Sequence, residues 1–217
     1  MGPLLKKMKM IERYGRYTCR AFFRDARNRI IYGPEAPRYA ERIWINPQEC
    51  TECLGGFGDR SSGKVVTGAW PPSGGTLISL MEVEKVRCCI DHWKRGIPWE
   101  KTGIFTFLEL KIARHPGRAF DDCRTRVDLE KRYEKLDRLF ETVRAEWALK
   151  TNGEVSAWAF RERDGVFFHV GPEGRFYLGG NGTHRFAIAL VLGLTRIPAK
   201  IGCVHVSAIP FLQSLRQ

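Results

Sequence analysis

Apolar residues at three- and four-residue steps predict two amphipathic helices in the middle of the chain. The first is predicted by Val83, Val86, Ile90 and Trp93 and can end at Gly96. The second is predicted from about residue 124 to residue 147, by the stripe Leu129, Tyr133, Leu136, Phe140, Val143 and Trp147. The pattern therefore favours a helical segment over about 76–147.

Short apolar runs predict β-strands on both sides of that segment. RIWIN at residues 42–46 alternates between polar and apolar residues and stops at Pro47. After Asn152, the runs EVSAWAF, VFFHV and RFYLGG are separated by tight turns, so they predict consecutive antiparallel strands. IPAKIGCVHV predicts a last strand, and the glycine-rich segment 54–75 is interpreted as a long loop.

A polar, glycine-rich turn precedes the apolar run FAIALVLG, which predicts a helix from His184 to about Leu192 that Gly193 ends. Backbone N–H groups at a helix N-terminus lack intrahelical acceptors, and the helix dipole there favours negative charge. Glycines let a ligand approach the backbone closely, and a hydroxyl, an imidazole and a guanidinium follow them. The turn is therefore a candidate phosphate site, made of Gly179, Gly180, Asn181, Gly182, Thr183, His184 and Arg185.

The chain has a formal net charge of +12, and much of it lies near the N-terminus. Residues 1–29 carry nine basic and two acidic side chains, or +7 of that total. Apolar residues recur among them at helical spacing, at Leu4, Met8, Ile11, Tyr14 and Thr18. A basic amphipathic helix can bind nucleic acid, lie on an anionic membrane surface or pack on its own domain. All three remain open at this point.

Gly33-Pro34 and Pro37 separate this basic leader from the rest of the chain. We therefore expect a basic N-terminal extension over 1–36 and a single domain over 37–217. No apolar run approaches the 18 residues of a membrane span, and no secretory signal is recognisable. Seven cysteines without regular spacing favour reduced thiols. The expected location is the cytoplasm, at the membrane periphery if the leader binds lipid.

Two further motifs match known binding patterns only in part. Gly58, Gly63 and Lys64 have the spacing of a P-loop, but Val65 stands where a Mg²⁺-binding Ser or Thr is required. CTEC at residues 50–53 has the Cys-x-x-Cys spacing of a zinc site, and the possible partners are the adjacent Cys88 and Cys89. Adjacent cysteines chelate zinc poorly, so idle thiols are the favoured interpretation.

GGNGTHRFAIALVLGLTRIPAKI resembles the signature of the ParB/sulfiredoxin-like superfamily, in which a Gly-x-His-Arg or Gly-x-Arg-Arg turn precedes a short helix and a strand opened by Ile-Pro. FETVRAEWALKTNGEVSAWAF resembles the helix and strand that come before that signature, and RIWINPQEC resembles the first strand. The resemblance implies an α+β (α/β) fold. It would be a small mixed β-sheet flanked by helices, with a helical insertion over about 76–147 and the basic extension outside the common core.

Relatives of this superfamily include CTP-hydrolysing DNA-segregation proteins, free-serine kinases, sulfinic-acid reductases and proposed nucleases. Thr183 stands where sulfiredoxins have their reacting cysteine, and His184 replaces the first arginine typical of the DNA-segregation proteins. The turn is most similar to the Asp-Gly-His-His-Arg of the kinases, with Asn181 and Thr183 as departures. The resemblance thus implies phosphate binding ahead of any particular reaction.

The function implied is a nucleotide-binding phosphotransferase or hydrolase that acts on a small hydroxyl-bearing substrate. ATP, ADP or CTP would bind to the turn formed by 180–185, with Mg²⁺ as the expected metal. His184 and Arg185 would neutralise charge, and Glu49 or Glu52 would be the general base, because the kinase relatives place theirs after the first strand. The alternative is a non-catalytic nucleic-acid-binding protein that uses the leader and the same turn. The oligomeric state is left open.

Overall fold

The computed structural model describes the backbone of residues 3–217 and the side chains of residue 12 and residues 14–217. Its α-helices are α1 (Pro3–Tyr32), α2 (Glu84–Trp93), α3 (Trp99–Thr102), α4 (Ile104–Arg114), α5 (Arg126–Glu146), α6 (Asn152–Val155), α7 (Thr183–Leu192) and α8 (Leu212–Leu215). Its strands are β1 (Arg42–Ile45), β2 (Glu52–Gly55), β3 (Val65–Val66), β4 (Thr76–Ser79), β5 (Val166–Val170), β6 (Phe176–Leu178) and β7 (Ile197–His205).

The seven strands form one mixed sheet in the order β1-β7-β5-β6-β2-β4, and the short β3 also pairs with β7. The central pair, β5 and β7, is parallel, and so are β6 and β2, whereas β1–β7, β5–β6 and β2–β4 are antiparallel. The predicted α+β class, a small mixed sheet flanked by helices, is confirmed.

The strand β5 is buried along its whole length because both faces of the sheet are covered. On one face, Phe168 packs against Phe186 of α7, with ring centroids 5.6 Å apart. On the other face, Phe167 contacts His169 edge to face at 4.8 Å. Each fully buried aromatic or aliphatic side chain contributes about 1.5–3 kcal/mol. This packing fixes α7 on the sheet and so fixes the position of the turn that precedes it.

Several predicted elements agree closely with the structure. The helix expected at 124–147 runs from Arg126 to Glu146, and the helix expected from His184 begins at Thr183. VFFHV and RFYLGG form the antiparallel pair β5–β6, RIWIN forms β1, and IPAKIGCVHV forms β7.

The strand predicted from EVSAWAF is wrong, because α6 and a turn occupy this segment. Thr151 accepts a hydrogen bond from the Glu154 N–H, and the Glu154 carboxylate accepts one from the Thr151 N–H at 2.7 Å. This capping box starts a helical turn and outweighs the strand propensity of the sequence that follows.

The loop interpretation of 54–75 is wrong in part, since this segment contains the end of β2 and all of β3. The region expected as a helical insertion also begins with β4, which pairs with β2 at the edge of the sheet. Four-residue edge strands with little alternation give a weak sequence signal.

The basic leader is a helix that is tied to the domain along its C-terminal half. The Asn28 amide donates to the backbone carbonyls of Pro37 at 2.7 Å and Gly63 at 2.6 Å. Asp25 accepts from the Tyr39 N–H at 2.7 Å and lies 2.8 Å from the Arg161 guanidinium. The part of the predicted apolar face formed by Leu4, Met8 and Ile11 lies outside the described side chains. None of the helices in the described part of the chain is both long and apolar enough to cross a bilayer.

Candidate functional site

A cavity of about 1000 Å³ lies at the N-terminal end of α7. The turn 180–185 forms one wall, α5 and the start of α2 form a second, and α1 and the segment 152–164 complete it. A volume of this size accommodates a nucleotide or a comparable small molecule. The structure therefore places residues 180–185 of the predicted turn in the lining of this cavity, whereas Gly179 lies outside the lining.

The turn is held in place by β5. The Phe167 N–H donates to the Asn181 carbonyl at 3.0 Å, and the Gly179 N–H donates to the Phe167 carbonyl at 2.7 Å. Gly182 is the N-cap of α7 and has a left-handed backbone with φ of +77°. A Cβ at this position would lie 2.6 Å from the Val166 Cα, so only glycine fits there.

No side chain caps the N-terminus of α7 in the described structure. The N–H groups of its first turn, on Thr183, His184 and Arg185, therefore have no intrahelical acceptor and are available to an anion. Thr183 is 9% exposed, lines the cavity, and its hydroxyl makes no hydrogen bond within the described part of the chain. Gly180 leaves open space in front of the turn, since nothing lies within 4 Å of a Cβ built on it.

Cationic side chains outnumber carboxylates in the cavity lining. The cations are Lys85, Arg132, Lys135, Arg163 and Arg185, and the carboxylates are Asp121 and Asp164. The Nε atoms of Arg132 and Arg163 are both buried without a hydrogen-bond partner in the described structure, and the Arg163 Nη1 lies 2.8 Å from the Asp164 carboxylate. Arg185 donates to the Asp164 backbone carbonyl. The excess of positive charge in a concave site attracts an anion.

His184 lines the cavity, but its ring is buried and hydrogen-bonded to protein. Its Nε2 lies 3.2 Å from the hydroxyl of Tyr133 on α5. Burial lowers the pKa of His184 to about 4, although the nearby Asp121 carboxylate opposes this shift. The imidazole is therefore neutral at neutral pH. The cationic role expected for His184 is corrected accordingly, and the positive charge comes from the arginines and lysines of the lining.

Asp121 and Asp164 are the two cavity carboxylates that sequence reasoning missed, and Asp121 is the more buried of the two. Its Oδ1 lies 2.6 Å from the Lys85 ammonium, and its Oδ2 is buried without a hydrogen-bond partner in the described structure. Burial opposes its ionisation, but the Lys85 ammonium outweighs that effect and the pKa of Asp121 lies below its usual value. The backbone is left-handed, with φ of +53° at Asp121 and +62° at Asp122. Two consecutive aspartates, which tolerate this conformation, were the only signal in the sequence.

Glu49 and Glu52, the expected general bases, are not brought to the turn. Glu49 is exposed and accepts from the Asn46 amide at 2.9 Å. The neighbouring Gln48 contacts the carbonyls of Ala189 and Leu190, so Glu49 lies near the C-terminal end of α7. That end is about 15 Å from the N-terminus of the helix. Glu52 lies on β2, 3.6 Å from Arg175, and neither carboxylate lines the cavity.

Aromatic side chains also line the cavity, and one of its cations, Arg163, lies 4.0 Å from the Tyr17 ring. Trp158 is 75% exposed and lines the cavity together with Phe160. Tyr14 and Tyr17 of α1 contact Phe160, with ring centroids 5.6 Å and 6.3 Å away. An exposed indole beside a cationic wall provides a flat apolar surface of the kind on which a nucleobase stacks.

The other two candidate motifs have structural roles. The P-loop-like segment is fixed to the sheet, where the Gly63 N–H donates to the Gly202 carbonyl at 2.8 Å. Cys50 and Cys53 are buried free thiols, and burial raises the pKa of Cys50 to about 12. Among the described residues, no group of three or more His, Cys, Asp or Glu side chains is arranged to hold a metal ion.

Comparison of this chain with protein-family models, curated proteins and solved structures gave no match. The resemblance to the ParB/sulfiredoxin-like superfamily therefore stays a prediction from the sequence motif.

Proposed function

We propose that the cavity at the N-terminus of α7 binds a nucleotide, with its phosphates against the turn 180–185. The observation that carries this proposal is the convergence of that turn and five cationic side chains on one cavity of about 1000 Å³. Unpartnered N–H groups of Thr183 and Arg185 would donate to phosphate oxygens, and Arg132 and Lys135 would balance the charge. The base would lie against Trp158, the exposed indole of the lining.

The reaction we propose is transfer of a phosphoryl group to a small hydroxyl-bearing acceptor, or hydrolysis of the nucleotide. The similarity of the turn to that of the free-serine kinases supports this class of chemistry. The cationic lining would stabilise the negative charge that such a transition state spreads over its phosphoryl oxygens. An uncharged imidazole can accept a proton or donate one hydrogen bond. We therefore propose that His184 acts in the site as a proton acceptor or a hydrogen-bond donor.

The lining also fits the expected Mg²⁺. Mg²⁺ in nucleotide sites is held by one or two carboxylates together with phosphate oxygens, and it does not require a cage of protein ligands. The Asp121 carboxylate, whose Oδ2 has no hydrogen-bond partner in the described structure, interacts electrostatically with Lys85, His184 and Arg132. Asp121 would hold the ion, which when bound would neutralise phosphate charge. Its low pKa keeps the carboxylate ionised at neutral pH.

Isothermal titration with ATP, ADP, CTP and GTP, each with and without Mg²⁺, tests the proposal. We expect one of these nucleotides to bind the wild type, and Arg132→Gln to weaken its binding about tenfold by removing a charge from the cavity. Gly180→Val adds bulk to the lining and should also weaken binding. The matched control is Arg138→Gln, on the same helix but exposed and outside the cavity. Absence of binding by all four nucleotides, or equal effects of the two arginine variants, would contradict the proposal.

The second candidate function is sequence-independent binding of nucleic acid, which the charge of the leader favours. Affinity for a phosphate backbone falls steeply as salt rises, whereas affinity for one nucleotide in a cavity falls less. Fluorescence anisotropy with labelled single-stranded DNA and RNA over a salt series separates the two functions.

For either function the proposed location is the cytoplasm, because all seven cysteines are free thiols.

A further inference from the structure

One face of α1 is apolar and exposed, and at its edge Phe22 borders a cavity between α1 and the domain. Phe22, Phe23 and Ile30 are 69%, 71% and 83% exposed, whereas Ala21 and Asn28 on the opposite side of the helix are buried. Together with the exposed Cys19, these apolar residues recur at the three-, four- and seven-residue steps of one helix face. This outer face of α1 is thus a second apolar stripe, separate from the one that packs on the domain. Within the described part of the chain no side chain covers it.

Exposed arginines lie on both sides of the outer face. Successive residues of an α-helix are rotated by about 100° around its axis. On that basis Arg27 and Arg29 lie at about 80° on either side of the centre of the outer face. Both are exposed, and neither forms an ion pair with a described residue. Arg16, further along the helix, is exposed and lies 3.6 Å from Glu12. The stripe is therefore apolar in its centre and cationic at its edges.

We propose that the outer face of α1 docks on an anionic lipid surface. A helix that lies in a membrane interface needs an apolar stripe at the level of the acyl boundary and cations at the level of the headgroups. The long arginine side chains reach outward to phosphate and carboxylate groups while the phenylalanines are buried. This inference is independent of the nucleotide site, because it uses the opposite face of the helix.

Charge argues against the two other occupants of such a face. A second copy of the chain would bring its own strongly basic α1 against this one, and like charges without carboxylate partners repel. A nucleic acid backbone would satisfy the arginines but would leave Phe22 and Ile30 in water. An anionic membrane surface accommodates both the apolar centre and the cationic edges.

Flotation of the full chain with vesicles tests the proposal. With equimolar phosphatidylserine and phosphatidylcholine we expect the wild type to float, and with phosphatidylcholine alone we expect much weaker binding. The double variant Phe22→Gln/Phe23→Gln should partition about tenfold less, since burial of apolar side chains supplies part of the affinity. Arg27→Glu/Arg29→Glu should lose its preference for phosphatidylserine. The matched control is Val127→Gln, an exposed apolar residue of α5, which should float as the wild type does.

Three results would overturn the proposal. One is flotation of the two double variants equal to that of the wild type. Another is a dimer, seen by analytical ultracentrifugation, that dissociates in Phe22→Gln/Phe23→Gln while vesicle binding is absent. The third is binding of DNA or RNA that requires the phenylalanines when vesicles do not bind. Thermal unfolding of each variant verifies that the fold is kept, as the exposure of all four side chains leads us to expect.

Discussion

At Asp121 a free carboxylate oxygen and a left-handed backbone coincide in the wall of the cavity. Asp122 has the same backbone conformation, but its side chain is exposed and does not line the cavity. Strained backbone positions often hold functional side chains in place. Because Asp121 and Asp122 share the backbone conformation and only Asp121 lines the cavity, comparing them separates the role of the carboxylate from that of the backbone.

We predict that Asp121→Asn abolishes most of the Mg²⁺-dependent gain in nucleotide affinity, by about tenfold, because the amide is a weaker ligand for Mg²⁺ than the carboxylate. Affinity without Mg²⁺ should be equal or slightly tighter, since a negative charge beside the phosphates is removed. Asparagine tolerates a left-handed backbone, so the fold should be kept. Titration with and without Mg²⁺ measures both quantities. An equal loss in Asp122→Asn would show that the effect is structural.

Another residue-scale prediction concerns His169, which is buried in the sheet. Its Nδ1 accepts from the Cys203 N–H at 3.0 Å, and burial, followed by the charge of Lys200, lowers its pKa to about 4. Between about pH 6.5 and pH 4 the unfolded chain binds a proton that the folded chain does not. This contribution to stability is thus present in full above the unfolded pKa and is lost as pH falls toward the folded pKa. The slope for one histidine is at most about 1.4 kcal/mol per pH unit.

We predict that His169→Phe lowers the slope of the free energy of unfolding against pH in that range, because one proton fewer is taken up on unfolding. The proton taken up by His184 should remain, so part of the slope is kept. Urea unfolding at several values from about pH 7 to pH 5 measures the slope. The lost hydrogen bond to Cys203 lowers stability at every pH, so only the slope is diagnostic. An unaltered slope in His169→Phe would contradict the prediction.

At the scale of an element, the N-terminus of α7 depends on Gly182 more than on Gly180. We predict that Gly182→Ala lowers the free energy of unfolding by about 2–4 kcal/mol, because it combines a left-handed φ with a clash against the Val166 backbone. Gly180→Ala meets open space, and its cost should be within about 0.5 kcal/mol. Urea unfolding of the two variants makes the comparison. Equal stabilities would mean that the turn is not fixed by Gly182 as described.

The same element shows what can be predicted from sequence. The sequence pattern placed α5 and α7 within two residues of their ends. The glycines and cationic residues of the turn predict a phosphate site, and the structure shows that residues 180–185 line a cavity. The partners of that turn come from α1, α5 and Asp121, which are distant in sequence, so no local spacing connects them. Glu49 was expected at the site because it follows a strand, but its strand leads to the other end of α7. Local patterns identify an element, whereas its neighbours depend on the topology of the sheet.

At the scale of the whole molecule, α1 connects the two proposed sites. Its inner face contributes Tyr14 and Tyr17 to the cavity, and its outer face carries the exposed phenylalanines. The helix is positioned by a small number of polar contacts at its C-terminal half, among them the two hydrogen bonds of the buried Asn28 amide at 2.6 Å and 2.7 Å. The position of α1 therefore depends on Asn28, and the aromatic wall of the cavity depends on the position of α1.

We predict that Asn28→Ala loosens α1 and lowers the free energy of unfolding by about 2–3 kcal/mol, because the carbonyls of Pro37 and Gly63 lose their donor in a buried site. Hydrogen exchange should accelerate in α1 ahead of the sheet, since the lost contacts lie between helix and domain. Nucleotide affinity should fall as well, because Tyr14 and Tyr17 are no longer held against Phe160. Thr18→Ala is the control on the same helix, since its hydroxyl bonds only to the Tyr14 carbonyl one turn earlier. If Asn28→Ala slowed the exchange of α1 or left it unchanged, the other contacts of the helix, such as those of Asp25, would be sufficient to hold it. The dependence of the cavity on Asn28 would then be disproved.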